Sequence, residues 1–283
     1  MCTSYPTHGR SYMLSSLPGL LLLVIMAVIA GCGDYLPSID SSDRDEGLGT
    51  VQGVATAPWM SLDLADGNYS ALADPGDLSA ARWRETHILF RRIEPSSGPA
   101  YLAVFPTTQA QWTLLGGTSP WNDIDATVVD SSGRGDRRPA YGLSWNDITA
   151  TLQAWNQGRS FSLSVPDEHQ WQFAALAGGA GPWPWGDDQS RSVVRDHALV
   201  WETLDAAPPA PAAVGTRTAN GLGFHDMAGM VWEWCRPGTA LRGGSWRDGL
   251  WTARVANRLH FDDGSIDQHS DHALFGVRLV LLP

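Results

Sequence analysis

Residues 221–234 read GLGFHDMAGMVWEW, and this stretch decides the fold. Two indoles flank Glu233, and a second carboxylate, Asp226, lies seven positions before it. Glycines at positions 221, 223 and 229 allow the backbone to turn tightly. The pattern is too irregular for one amphipathic helix or one alternating strand. It predicts a compact, loop-rich core in which backbone oxygens and carboxylates converge.

The composition also favours a loop-rich globular fold. The chain of 283 residues contains 30 glycines, 18 prolines and 14 tryptophans, while only 17% of its residues are charged. Tryptophans suit such a fold when their rings are packed and their N–H groups have partners. The net charge of -11 excludes binding to nucleic acid through a general basic surface. We therefore expect no nucleic-acid partner.

The first 31 residues have the pattern of an export signal. Arg10 is the only lysine or arginine before an apolar run at residues 13–29, which leads to Cys32 through an alanine and a glycine. This order resembles the bacterial lipoprotein signal, in which the cysteine receives a lipid. The alternative is an uncleaved membrane anchor. A proline and a glycine interrupt the run, which is also short for a spanning helix.

The signal predicts where the mature chain is located. Cys32 becomes the lipidated residue that joins the chain to a membrane, and residues 32–52 form an acidic, flexible tether. Gly33 follows the cysteine, which by resemblance to enterobacterial sorting favours the outer membrane of the cell envelope, facing the periplasm or the cell surface. Cys2 leaves with the signal, so Cys235 is the last thiol. We predict that Cys235 is a packed hydrophobic side chain and not a nucleophile.

Residues 53–283 are predicted to form one domain with an irregular α+β fold. Apolar residues have helical spacing in residues 146–156 and 167–177. Strand-like segments are short and scattered, at 87–91, 101–105, 240–242 and 276–282. The expected architecture has two main helices, short antiparallel strands and long ordered loops.

Six short motifs follow one another through this domain. They read PAYGLSWND at 139–147 with Trp155 after it, VPDEHQWQFAA at 165–175, PWPWGD at 182–187, VG at 214–215 with NGLGFHDMAGMVWEWC at 220–235, LRGGSW at 241–246, and Arg254 and Arg258 with GVR at 276–278. In order and spacing they resemble the formylglycine-generating enzyme, or sulfatase-modifying factor, family. The resemblance implies that family's fold, which is a variant of the C-type lectin fold.

The motifs specify a fold more directly than a reaction. Six of their tryptophans are predicted to be core anchors, because an indole buries a large area once it is packed. These are Trp145, Trp155, Trp171, Trp185, Trp232 and Trp234. The motif arginines Arg254, Arg258 and Arg278 are predicted to pair with buried carboxylates or backbone carbonyls and not to contact a substrate.

The resemblance implies a copper chemistry that this chain lacks. Formylglycine-generating enzymes hold copper with two cysteines placed shortly after the GGS turn, and soft thiolates are the ligands that select Cu(I). Here Asp248 and Ala253 occupy those two positions. Alanine has no ligand atom, and a single carboxylate is a hard ligand. Copper is therefore not expected, and Cys235 belongs to another motif and does not replace the pair.

Calcium is the better candidate metal. The resemblance implies a Ca²⁺ site made by the side chains of Asp226 and Glu233 and the carbonyl oxygens of Gly229 and Val231, which form a hard-oxygen set. The chain departs from the family at Met230, where asparagine is usual. The alternative is that the two carboxylates accept backbone N–H groups and fix the turn without a metal.

A different metal chemistry would need histidines. Another branch of the family, the sulfoxide synthases of thiohistidine biosynthesis, holds iron with three histidines, partly from an added helical domain that this chain lacks. His260, His269 and His272 lie close in sequence among several aspartates. They are a candidate transition-metal site, and a polar loop before the last strand is the alternative.

Three functions remain open from the sequence. The first is a non-catalytic binding or scaffolding domain, whose partner is another envelope protein or a glycan. The second is an oxidoreductase that modifies an exported protein through a different metal site. The third is a carbohydrate-binding module, which exposed indoles would favour. A candidate ligand groove is formed by Ser245, Trp246, Arg247 and Asp248, unless the last two side chains simply pair with each other.

Overall fold

The computed structural model describes residues 56–204, 210–260, 269 and 272–282. The predicted signal peptide, the lipidation site at Cys32 and the tether up to residue 52 lie outside the described residues. Within the described residues, no helix is both long enough and apolar enough to cross a membrane.

The larger sheet has six antiparallel strands in the order β2-β1-β3-β4-β10-β5. They are β1 (Trp59–Asp63), β2 (Tyr69–Leu72), β3 (His87–Ile93), β4 (Ala100–Ala103), β5 (Ser162–Ser164) and β10 (Val280–Leu282). Met60 lies opposite Phe90, and Phe90 lies opposite Ala103, so these three buried side chains form a row across the centre of the sheet. This sheet confirms the strands predicted at 87–91 and 101–105.

The smaller sheet has four short strands in the order β8-β7-β6-β9. They are β6 (Trp232–Cys235), β7 (Ala240–Arg242), β8 (Leu259–His260) and β9 (Phe275–Gly276). β6 and β9 run parallel, whereas the other pairs are antiparallel as predicted. The motif at 220–235 therefore ends in the central part of this sheet.

The single strand predicted at 276–282 is wrong. The chain leaves the smaller sheet after β9 and enters the larger sheet at β10. Between the two, the carbonyls of Val277 and Leu279 accept hydrogen bonds from Thr107 and Ala103. The side chain of Arg278 turns inward at this crossing to reach Glu233. A buried ion pair thus interrupts what reads as a continuous apolar strand.

The two predicted helices are the two longest in the described residues. The five helices are α1 (Arg82–Glu85), α2 (Gln109–Leu114), α3 (Trp145–Asn156), α4 (Glu168–Leu176) and α5 (Arg191–His197). The Ser144 hydroxyl accepts the Asp147 N–H at the start of α3, and Asp167 forms a capping box with Gln170 at the start of α4. The three other helices are too short to show a helical period in the sequence.

Tryptophan burial is uneven. The predicted anchors Trp171, Trp232 and Trp234 are buried, whereas Trp145, Trp155 and Trp185 are only partly buried. Two indoles outside the motifs, Trp201 and Trp251, are exposed at 58% and 60%. The fold therefore contains both a core of indoles and a second, exposed set.

Candidate functional site

The motif at 220–235 places a buried ion pair where the two sheets meet. Glu233 of β6 and Arg278, which lies between β9 and β10, have side chains that are 1% and 0% exposed. Arg278 binds both carboxylate oxygens, with Nη2 at 2.9 Å from Oε1 and Nε at 2.9 Å from Oε2. The Trp171 indole N–H on α4 donates to Oε2 at 2.6 Å. One carboxylate thus joins both sheets to a helix.

The remaining donors of Arg278 are also satisfied. Nη1 donates to the carbonyls of Ala103 and Val104, and Nη2 donates to the carbonyl of His225. A guanidinium has five N–H donors, and burial of a charged pair is tolerated only when such donors are satisfied. The pairing predicted for Arg278 is confirmed, and its role is to hold the fold together.

Asp226 occupies a different environment seven residues earlier. Its φ is +57°, a left-handed conformation that aspartate tolerates better than most residues. The carboxylate is buried; Oδ2 accepts the Gly215 N–H at 2.6 Å, while Oδ1 has no hydrogen-bond partner among the described residues. Burial raises the pKa of Asp226, and the Gly215 N–H and the nearby His225 oppose that shift.

The contacts of Glu233 do not fit a calcium ligand. A cation at this carboxylate would lie beside the buried Arg278 guanidinium and would compete with it for both oxygens. The unpartnered oxygen of Asp226 is the one feature that suits a hard cation. Asp226 accepts a backbone N–H, as the alternative without a metal expects, whereas Glu233 accepts side-chain donors from Arg278 and Trp171. The calcium site of Asp226, Gly229, Val231 and Glu233 stays a prediction for titration.

The two positions that the resemblance assigns to copper-binding cysteines lie on a separate turn. Asp248 is half-buried, and its Oδ2 accepts from the Ser245 hydroxyl at 2.5 Å and from the Trp232 indole at 2.8 Å. Ala253 is fully buried at the end of the 3₁₀ helix Leu250–Ala253. The structure therefore places a fixed carboxylate and a methyl group in this region.

The candidate groove at 245–248 is mostly closed. Ser245 and Trp246 are fully buried, so their side chains are not open to a ligand. Arg247 is exposed and donates to the carbonyl of Val128 at 3.1 Å. It does not pair with Asp248, whose carboxylate is held by Ser245 and Trp232 instead. Of the four predicted residues, only Arg247 and Asp248 reach the surface.

Cys235 does not supply the missing thiolate. Its side chain is fully buried, and Sγ lies 3.8 Å from the carbonyl oxygen of Glu233. Burial and the nearby Glu233 carboxylate raise the pKa of this thiol well above its usual value. The thiol is thus protonated at neutral pH, which agrees with a packing role.

The histidine-rich segment lies largely outside the described residues. The side-chain amide nitrogen of Asn146 donates to His269 Nδ1 at 3.0 Å. The Leu274 N–H donates to His272 Nδ1 at 3.3 Å. In the part of the chain that the structure describes, no three His, Cys, Asp or Glu side chains converge as a metal site. The candidate transition-metal site of His260, His269 and His272 stays a prediction, as does its alternative, a polar loop.

The structure reveals an exposed aromatic surface that the motifs did not indicate. The 3₁₀ turn Trp201–Thr203 lies against the turn at 248–251, because the Trp201 N–H donates to the Asp248 carbonyl at 2.9 Å. Next to it, the Arg254 guanidinium stacks on Trp251, with its central carbon 3.8 Å from the ring centroid. A sequence signal did exist, since Trp201 and Trp251 are tryptophans that no motif accounts for.

Comparison with known proteins agrees with these motifs. The family model of the sulfatase-modifying factor enzyme 1-like domain matches residues 97–281. A formylglycine-generating enzyme of Streptomyces coelicolor is 31% identical over 134 residues, which are 44% of this chain and 40% of that enzyme. That of Thermomonospora curvata is 25% identical over 203 residues, which are 68% of this chain and 63% of that enzyme. This chain thus spans less than two thirds of these relatives.

Solved structures agree on the fold. Treponema denticola variable protein 1 superimposes with a TM-score of 0.55 at 15% identity, over 70% of this chain and 96% of that one. PvdO from Pseudomonas aeruginosa superimposes with a TM-score of 0.52 at 17% identity, over 74% and 89% of the two chains. The fold is an α+β fold consistent with a variant of the C-type lectin fold. Because the family model covers more than half of its length, the chain belongs to the sulfatase-modifying factor enzyme 1-like family.

Proposed function

We propose that this protein is a lipid-anchored binding or scaffolding domain of the bacterial envelope that does not generate formylglycine. The observation that carries the proposal is the turn at 248–253. A hydrogen-bonded carboxylate at Asp248 and a buried methyl group at Ala253 stand where the resemblance calls for two thiolates. Without two sulfur ligands, the site has no means of selecting Cu(I).

The surroundings of the Cys235 thiol support the same proposal. Cys235 is buried, and its raised pKa keeps it protonated at neutral pH. A nucleophilic or metal-binding cysteine must instead be an accessible thiolate. The relatives are named as formylglycine-generating enzymes, whereas the resemblance of the motifs puts Asp248 and Ala253 of this chain at the two positions where that activity needs cysteine.

The direct test is an activity assay with copper. The full-length chain is incubated with a cysteine-containing sulfatase peptide, copper and oxygen, and mass spectrometry is used to look for the aldehyde. The Streptomyces coelicolor enzyme serves as the positive control. We expect no aldehyde from this chain, and turnover comparable to that of the control would overturn the proposal.

Metal analysis separates the remaining alternatives. We expect the purified protein to contain neither copper nor iron in stoichiometric amounts. A double variant, Asp248→Cys with Ala253→Cys, restores the two sulfur positions and is expected to gain Cu(I) binding if the correspondence is right. One equivalent of iron in the unmutated protein would instead support the oxidoreductase alternative, with His260, His269 and His272 as the ligands to mutate.

The anchor is tested separately. The N-terminal pattern supports lipidation at Cys32, and outer-membrane location rests on the same pattern. We expect metabolic labelling with palmitate to mark the wild-type chain and to fail in a Cys32→Ser variant. Fractionation of the two membranes then checks the location. Labelling of both chains would overturn the lipid anchor.

A further inference from the structure

The most exposed large apolar side chains gather on one part of the surface. Among the described residues, five large hydrophobic side chains are exposed, and the two with the greatest exposure are Trp201 at 58% and Trp251 at 60%. Val128 is a third, and its carbonyl accepts a hydrogen bond from Arg247, next to Asp248. Exposed apolar patches of this kind on a globular domain mark binding sites. We call Trp201, Trp251 and Arg254 the indole surface.

The backbone under the indole surface is fixed. The Trp201 N–H donates to the Asp248 carbonyl at 2.9 Å, and the Leu250 N–H donates to the Glu202 carboxylate at 3.0 Å and 3.1 Å. The two turns that carry the indoles are thus joined in both directions. A ligand that binds here meets preorganised rings, which lowers the entropy lost on binding.

Arg254 supplies hydrogen-bond donors at this surface. Its guanidinium stacks on Trp251 and lies 5.3 Å from the centroid of Trp183. Its Nε atom is buried without a hydrogen-bond partner in the described part of the chain, so donation to a ligand falls to the terminal nitrogens of the guanidinium. The other motif arginines are used differently, since Arg258 and Arg278 bind Glu168 and Glu233. The pairing predicted for Arg254 is therefore wrong, because stacking on an indole takes the place of a carboxylate.

Carboxylate acceptors lie on the same two turns as the rings. Asp248 uses Oδ2 for both of its described side-chain hydrogen bonds, which leaves Oδ1 free to accept another. Glu202 is exposed, and each of its oxygens keeps a lone pair after accepting the Leu250 N–H. The turns that carry the apolar rings thus also carry hydrogen-bond donors and acceptors.

We infer that the indole surface binds a neutral oligosaccharide, an inference that rests on the proposed binding function and names its ligand. Sugar rings present apolar C–H faces that pack on exposed indoles, and their hydroxyl groups both donate and accept hydrogen bonds. Arg254 then donates to sugar oxygens, while Asp248 and Glu202 accept from hydroxyl groups. Each exposed group of the surface has a counterpart in one neutral, polyhydroxylated ligand.

Charge argues against an anionic ligand. The chain carries a net charge of -11, and the two turns that carry the indoles also carry the carboxylates of Glu202 and Asp248. A polyanion, such as an acidic glycan or an acidic peptide, would be repelled by the protein as a whole and by these carboxylates. A neutral ligand avoids both costs.

The test is a binding titration of the full-length chain, purified in a detergent whose headgroup is not a sugar. The probes are cellohexaose, maltohexaose and chitohexaose, with oligogalacturonate and a polyglutamate peptide as acidic comparisons. Calorimetry measures affinity, and tryptophan fluorescence reports contact with the indoles. We expect one neutral oligosaccharide to bind, and both Trp201→Ala and Trp251→Ala to lower its affinity by about tenfold.

The control variant is Leu114→Ala, which removes an exposed apolar side chain, 42% exposed, from α2. It is expected to bind like the wild type, and melting curves verify that every variant is folded. The inference is overturned if no neutral probe binds, if only acidic probes bind, or if the tryptophan variants bind as well as the wild type. The aldehyde assay is independent: aldehyde formation would overturn the proposed function whether or not a sugar binds, and absence of sugar binding would overturn only the ligand inferred here.

Discussion

Two arginines from the same series of motifs have opposite surroundings. Arg278 is fully buried, pairs with Glu233 and gives every remaining donor to a backbone carbonyl. Arg254 is only partly buried, lies on the ring of the exposed Trp251 and leaves its Nε without a hydrogen-bond partner among the described residues. The first arginine is saturated by the protein itself, whereas the second still has donors to offer.

This difference separates what maintains the fold from what is free to bind. A buried ion pair that is broken on one side leaves an uncompensated charge, so such a pair constrains the sequence around it. A partly buried cation stacked on an exposed indole contributes less to stability, and its replacement should leave the domain folded. The buried loop therefore identifies the family, and the turn at 248–254 is where function can diverge.

The largest expected effect is at Glu233. The Glu233→Gln variant leaves the Arg278 guanidinium buried without a counter-charge, and we expect the free energy of unfolding to fall by about 3–5 kcal/mol. Urea denaturation followed by tryptophan fluorescence measures the change. The matched control is Glu168→Gln. Glu168 is likewise paired with arginine, in its case Arg242 and Arg258, but its side chain is 21% exposed. Equal losses in the two variants would contradict the comparison.

The same variant decides the calcium question. With the Glu233 oxygens occupied by Arg278 and Trp171, we expect the melting temperature of the unmutated protein to be the same in calcium and in chelator. A rise with calcium that disappears in Glu233→Gln would instead establish the calcium site at Asp226 and Glu233, as an ion that binds only the folded state stabilises it.

The next effect concerns the indole that donates to this carboxylate. Trp171 and Trp183 are both fully buried, but the Trp171 N–H donates to the Glu233 carboxylate and the Trp183 N–H donates to the carbonyl of Leu250. Replacement by phenylalanine removes a similar volume at each site. Because hydrogen bonds to charged groups are stronger, Trp171→Phe should cost about 1 kcal/mol more than Trp183→Phe in urea denaturation. The reverse order would show that Trp171 is held by packing alone.

Much of the fold was predictable from the sequence because its signals are local. Helix α3 begins after Ser144 and α4 begins after Asp167, and both caps are visible in the sequence. The motif series predicted the family, and the family model confirms it. Local signals of this kind need no knowledge of which distant segments meet.

The candidate site could not be predicted in the same way, because it depends on contacts between distant segments. The segment at 276–282 reads as one apolar strand, and only the partner of Arg278 explains why it divides between two sheets. The contact between Trp201 and the turn at Asp248 joins residues almost fifty positions apart. Burial of Ser245 and Trp246, which closes the predicted groove, likewise comes from tertiary packing.

A smaller effect is expected in the pH dependence of stability. Burial raises the pKa of Asp226 in the folded protein, so the folded state binds more protons than the unfolded state at pH values above the ordinary pKa of aspartate. Its contribution is therefore fully favourable below that ordinary value and decreases as the pH rises through the folded pKa. We expect the wild type to lose stability relative to Asp226→Asn as the pH rises from 4 to 7, as measured by urea denaturation. If the wild type instead gained stability relative to the variant over this range, the folded protein would stabilise the charged form of Asp226.

The smallest expected effect on stability is at Trp251, the exposed indole on which Arg254 stacks. Trp251→Ala removes a ring that is 60% exposed and its stacking with Arg254, which should lower the free energy of unfolding by only about 0.5–1 kcal/mol. Trp234→Ala is the matched replacement in the core, because Trp234 is fully buried and donates to the carbonyl of Leu143; it should cost about 3–5 kcal/mol. If Trp251→Ala destabilised the protein as much, Trp251 would belong to the core, and its exposure would no longer argue for a ligand. A small loss of stability combined with a large loss of sugar binding would locate function on the turn at 248–254 and not in the buried loop.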